Sequence, residues 1–231
     1  MTLHRQHVTE QPDYSTAWTP ASDRTAINEL LQKYQTQQQV PSASTTNTTN
    51  TNTSLRLRLA TVDDLETIER LVMGLAEFEK EPESVQVTKE HYRRDGFSSD
   101  EPPLFSCLLL EHVKPDDTST NNKSNDVYVC GMALCFFGYS FGEGRFLFLE
   151  DLFIEKEFRG MGGGTLLMQV LAEIAESTHC IRAVWHALYW NTPALTFYNK
   201  IGARVVDGLL TSRFAGDGLK TFHNDRSVTK T

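Results

Sequence analysis

The stretch LFLEDLFIEKEFRGMGGGTLLMQVLAEIAE, residues 147–176, constrains the fold more than any other part of the chain. An apolar run carrying Glu150 and Asp151 passes through a charged turn to Arg159 and a glycine cluster. Apolar residues then recur at helical spacing, at Leu167, Val170, Leu171 and Ile174. A strand, a glycine loop and a helix in this order form a cradle for an anion. Glycines let backbone N–H groups converge without steric bulk, and the helix N-terminus adds partial positive charge. Two common phosphate loops are excluded. A P-loop needs a lysine directly after the glycines, and none is there. A dinucleotide fingerprint needs G-x-G-x-x-G/A, whereas GMGGGT puts Thr165 in the last position and follows a late strand. What remains is an R-x-x-G-x-G pattern, Arg159-Gly160-Met161-Gly162-Gly163-Gly164. Its arginine can pair with a second phosphate, so the pattern suits a pyrophosphate held without a metal.

A glycine motif alone is compatible with a plain turn; a second motif after the next strand decides against that. In WNTPALTFYNKIGA, residues 190–203, Asn191 or Thr192 can cap a helix with Pro193 in its first turn. Ala194, Phe197 and Ile201 make one face of that helix, which leaves Tyr198 displaced from it with its hydroxyl free. Upstream, LRLRLA alternates as a half-buried strand, and residues 61–79 read as a helix with Thr61 and Asp64 in a capping-box-like start. A short helix is expected at 88–96, strands at 104–111, 127–138, 144–154 and 181–189, and helices at 163–177 and 192–202. Weaker strands are expected near 203–206 and 219–223. The order predicts an α/β domain built on one mixed central β-sheet flanked by helices.

Composition sets the outer limits. Of 231 residues, 22 are Lys or Arg and 30 Asp or Glu, which disfavours a non-specific nucleic-acid binder and permits a cationic substrate. No run approaches the roughly 20 apolar residues of a membrane span, and the first residues lack a signal-peptide pattern. A cytoplasmic protein is expected. Cys107, Cys130, Cys135 and Cys180 show no metal spacing and read as small buried thiols in a reducing compartment. The segment PSASTTNTTNTNTS, 41–54, is low-complexity and has almost nothing to bury. Residues 1–54 are therefore expected to be a mostly disordered extension before a domain at 55–231. Within the extension, residues 22–39 can form a short helix with Ile27, Leu30, Leu31 and Tyr34 on one face, which either docks on the domain or a partner or, as expected, frays.

The pairing of FLEDLFIEKEFRGMGGG with WNTPALTFYNKIGA resembles the GNAT acetyltransferase superfamily. With LAEFEKEPESVQVTKEHYRRDGF, 75–97, it is similar to the diamine branch, the spermidine/spermine N1- and thialysine N-acetyltransferases. The resemblance covers about residues 55–223. It implies the GNAT (acyl-CoA N-acyltransferase) fold and acetyl-CoA as co-substrate, with no metal. It also implies a small cationic amine as substrate and a homodimer, without nucleic-acid or membrane partners. By the same resemblance the backbone of Leu152, Phe153 and Ile154 pairs with the pantetheine arm, and Arg159 with Gly160–Thr165 holds the pyrophosphate. Asn191, with Pro193 beside it, bonds the cofactor arm. Glu150 is the base and Tyr198 the proton donor to the leaving thiolate. Phe78, Glu79, Val184, Trp185, His186 and Asp217 line the amine pocket. Phe78 stands where spermidine-type members have tyrosine, and Leu219 where the branch has tryptophan. Strand alternation sends Asp151 to the face opposite Glu150 and makes it structural. Two other functions compete: a peptide or protein N-acetyltransferase, and a non-catalytic acyl-CoA-binding module.

Overall fold

The computed structural model describes residues 20–37, 54–114, 127–213 and 215–217. Five strands form one sheet in chain order: β1 (Ser54–Leu59), β2 (Ser106–Val113), β3 (Val127–Ser140), β4 (Gly144–Ile154) and β5 (Ala183–Trp185). The first four are antiparallel neighbours and β5 runs parallel to β4, so the sheet is mixed. The middle of β2 explains why helices must cover both faces. Leu108, Leu109 and Leu110 are all 0% exposed, and successive residues of a strand face opposite sides. Each is worth about 1.5–3 kcal/mol when fully buried.

On one face lie α2 (Leu65–Glu79) and α3 (Lys89–Phe97), where Ile68, Leu71 and Tyr92 pack with Leu109, Met132 and Phe153. The start of α2 is the capping box read from sequence, Thr61 and Asp64 bonding reciprocally. The other face carries α4 (Gly163–Ser177), whose Leu167, Val170, Leu171 and Ile174 are buried. Gly163 sits so close to β2 that a Cβ there would meet Leu110 Cδ2 at 2.5 Å. The acidic pair at the β1 edge is neutralised in place. Glu111 accepts from Arg56 Nε and Arg58 Nε, both at 2.6 Å, and Asp64 takes both terminal nitrogens of Arg58 at 2.7 Å.

The helix expected to fray does not. Residues Pro20–Gln37 form α1, packed on β1 and α4. Ile27, Leu30 and Leu31 are 1%, 8% and 3% exposed. The apolar stripe finds a partner surface, and polar contacts fix it there. Asp23 pairs with Arg145 at the start of β4, and Arg24 donates to the carbonyls of Gly96 and Ala60. Tyr34 hydrogen-bonds Glu173 on α4, which with burial pushes its phenol up to about 12. Of the polar tract at 41–54, all but Ser54 lies outside the described residues.

Residues 187–231 separate as a second compact unit, in which α5 (Thr192–Lys200) is the described helix. The strand expected at 203–206 is not formed: this stretch is irregular, with Val205 and Val206 78% and 65% exposed. Two adjacent valines do not alternate, so no single sheet face would bury both. The strand expected at 219–223 lies outside the described residues, and β5 is shorter than the 181–189 run suggested.

Candidate active site

A break in the β3–β4 ladder shapes the site. Leu134 pairs with Asp151 and Cys135 with Leu149, so Glu150 has no partner across the strand and forms a bulge. Its side chain is exposed. Just upstream, β5 pairs with β4 only through Leu147, Phe148 and Leu149. Beyond the bulge β4 therefore keeps β3 on one side and, among the described residues, no strand on the other. Leu152, Phe153 and Ile154 lie on this open stretch. An edge of unpaired backbone groups takes up an extended ligand as an added strand.

The open edge leads into the glycine loop. Gly160 and Gly162 have φ of +79° and +91°, a region disfavoured for side-chain-bearing residues, and a Cβ at either would meet nothing within 4 Å. Gly162 is the N-cap of α4 and no side chain caps the helix. Its first turn, Gly163, Gly164 and Thr165, presents backbone N–H groups that the helix itself cannot satisfy. Open space above left-handed glycines and an uncapped helix start together fit a pyrophosphate. Met161 lies exposed between them. Arg159 precedes the loop; its Nε donates to the Ile154 carbonyl at 2.8 Å, and its guanidinium lies over the rings of Phe78 and Phe153 at 4.9 and 5.8 Å.

Three carboxylates gather near the bulge. Burial, followed by repulsion from Glu150 and Glu79, pushes the Asp151 carboxyl up to about 6. Burial and then Glu81 raise Glu79. None of the three accepts a hydrogen bond or ion pair from a described residue. Asp151 pairs with Leu134 of β3 and is partly buried, whereas Glu150, the bulged residue beside it, has no partner and is exposed. Tyr92 of α3 is a neighbour the sequence did not flag. Burial pushes its phenol up to about 12, with Asp151 adding to the shift. On β5, Val184 stands opposite Phe148 and Trp185 opposite Leu149, while His186 meets the Phe148 ring edge-on at 5.2 Å.

Asn191, Pro193, Tyr198 and Asp217 belong to the second unit. Asn191 Oδ1 accepts from the Ala194 N–H at 3.3 Å, capping α5, with Pro193 in the first turn. Tyr198 is half-buried beside Phe197, and burial raises its phenol. Asp217 is exposed near the end of the described residues. A cavity of about 670 Å³ lined by Arg24, Thr61, Phe97 and the 98–103 loop contains none of the expected site residues. Among the described residues no cluster of His, Cys, Asp and Glu is placed to hold a metal.

The model of the Acetyltransferase (GNAT) family matches residues 74–203, which hold the bulged strand, the glycine loop and α5. The chain belongs to the GNAT acetyltransferase family. It is 34% identical over 164 residues to thialysine N-epsilon-acetyltransferase of Mus musculus, covering 70% of this chain and 92% of that one. It is 35% identical over 100 residues to L-ornithine N5-acetyltransferase of Arabidopsis thaliana, covering 43% and 44%. An integron cassette protein of V. cholerae shares the fold with a TM-score of 0.56 at 22% identity, covering 74% of this chain and 99% of that one. The protein is an N-acetyltransferase with the GNAT fold, and members of its family use acetyl-CoA. The residues of the glycine loop fit that co-substrate's pyrophosphate.

Proposed function

We propose that this GNAT protein acetylates the primary amine of a small aliphatic cation: a diamine, a polyamine, or a lysine-like amine such as thialysine. One observation carries the reading. The open edge of β4 past the Glu150 bulge runs directly into the uncapped glycine start of α4, beside three carboxylates without a cation among the described residues. The edge suits the pantetheine arm along Leu152–Ile154, the loop suits the pyrophosphate, and the acids suit an ammonium. The named activities of the Mus musculus and Arabidopsis thaliana relatives favour amino-acid side-chain amines.

The chemistry follows from the residues. A substrate amine with pKa near 10.4 is almost wholly protonated at neutral pH and cannot attack. Glu150 takes its proton through a water as the nitrogen adds to the thioester carbonyl carbon. Backbone N–H at the open strand edge steadies the oxyanion. The C–N bond forms, the C–S bond breaks, and Tyr198 gives its phenolic proton to the departing sulfur. The second proton shed by the nitrogen returns through water to the Tyr198 phenolate. A tyrosine phenol is protonated at neutral pH, as a donor requires, and burial raises that of Tyr198 further. With its Oδ1 used as a cap, Asn191 has its amide nitrogen to offer the cofactor arm. Glu79 and Asp151 hold the ammonium, with Val184, Trp185 and His186 as further substrate contacts.

The reading takes residues 55–231 as the catalytic domain and 1–54 as an extension, with α1 docked back on the domain. It also expects a cytoplasmic homodimer. The described cysteines are free thiols, as suits a reducing compartment. Leu209 and Leu210 are 78% and 96% exposed, apolar surface that a second copy would cover. Among the described residues no helix is long and apolar enough to cross a membrane. Acetyl-CoA turnover across a panel of small amines and one lysine-containing peptide tests the function. Activity on the peptide alone moves the substrate class to proteins, and CoA binding without any turnover leaves a non-catalytic module.

A further inference from the structure

We propose that Phe78 serves the cofactor rather than the amine: its ring positions the Arg159 guanidinium for the pyrophosphate. The inference rests on the acetyl-CoA reading and changes the task given to this residue by resemblance. An arginine in a loop loses considerable side-chain freedom when it binds a phosphate, and whatever fixes it beforehand tightens binding. Arg159 is fixed twice. Its Nε donates to the Ile154 carbonyl at 2.8 Å, and its guanidinium lies 4.9 Å from the Phe78 ring centroid and 5.8 Å from that of Phe153. The two terminal nitrogens donate to no described residue, so the ends of the fork are available for an anion.

The platform under the guanidinium is built into the fold. Phe153 is 8% exposed within the core. On α2, Gly74 lies four residues before Phe78, on the same helical face. A Cβ at Gly74 would come within 2.9 Å of Phe153 Cε1, so the missing side chain is what lets that ring lie against the helix. Phe78 then stands one turn further along, a ring from α2 beside a ring from β4. A ring face attracts any cation, and the cation that lies over Phe78 is the Arg159 guanidinium, 4.9 Å from the centroid.

Calorimetric titration with CoA, which carries no acetyl group and turns over nothing, tests this on the full chain. Phe78→Leu is expected to weaken CoA binding about two- to fivefold, the range of an exposed cation–π contact, with KM for the amine unchanged. Phe78→Tyr keeps the ring and is expected to keep wild-type affinity. In an Arg159→Ala background Phe78→Leu is expected to cost nothing further. Thermal melts confirm that each variant is folded. Gly74→Ala, which pushes on the Phe153 ring, supplies a second perturbation and is expected to weaken CoA as well. Undiminished CoA affinity in folded Phe78→Leu, an undiminished loss in the Arg159→Ala background, or a shift in amine KM alone overturns the proposal. A wild-type chain that does not bind CoA overturns the acetyl-CoA reading itself, and this inference with it.

Discussion

Replacing Asp151 by asparagine removes a charge while keeping the shape, and it should stabilise the protein in a pH-dependent way. The Asp151 carboxyl rises from 3.8 to about 6, first through burial and then through Glu150 and Glu79. At 1.36 kcal/mol per pKa unit, that is a penalty of up to about 3 kcal/mol for holding the charge in the fold. The sign follows from linkage. Below the unfolded value the group is protonated in both states and contributes nothing. Between about pH 4 and pH 6 the unfolded chain sheds the proton first, and stability falls. Above that window the penalty is complete. Urea unfolding of wild type and Asp151→Asn across this range should show the variant gaining about 1–3 kcal/mol on the wild type as pH rises. A saturating diamine should narrow the gap, because an ammonium beside the carboxylate offsets its repulsion. A stability difference that stays flat from about pH 4 to pH 8 refutes the reasoning. It would mean that the charge is compensated, and the acids would then not form an amine site.

Other consequences are open to simpler assays. Glu150→Gln should lower kcat/KM at neutral pH by roughly 10²–10⁴-fold, with partial recovery at high pH where free amine becomes available. Tyr198→Phe should lower kcat by a similar factor without weakening CoA binding, and full rates for both variants would remove the assigned roles. Ile27, 1% exposed on α1, should cost about 2–5 kcal/mol of unfolding free energy when changed to alanine. A loss below about 0.5 kcal/mol, the scatter of ordinary surface changes, would mean that α1 does not stay docked.

Local signals carried the elements that the sequence places well. The 144–154 strand and the 163–177 helix begin and end where the apolar runs and the glycine junction mark them. Thr61 and Asp64 also form the box their spacing implies. What was not legible depends on partners distant in sequence. The bulge at Glu150 exists only relative to Leu134 and Cys135 of β3, and alternation along β4 alone does not reveal it. Ile27, Leu30 and Leu31 announced an apolar stripe, but whether a stripe frays or docks is decided by the surface across from it. Arg159 over Phe78 joins residues from α2 and the glycine loop, and no spacing rule connects them. Asn191 was read both as a cap and as a cofactor contact; the cap is formed.

The central claim is amine acetylation, and one measurement bears on it most directly. The full-length protein is incubated with acetyl-CoA and, in turn, thialysine, ornithine, putrescine, spermidine and a lysine-containing peptide. Released thiol and acetylated amine are quantified together. The account predicts thiol and N-acetylated product in equal amounts with at least one small amine, and little or none with the peptide. Turnover confined to the peptide, or no turnover with any amine, contradicts it.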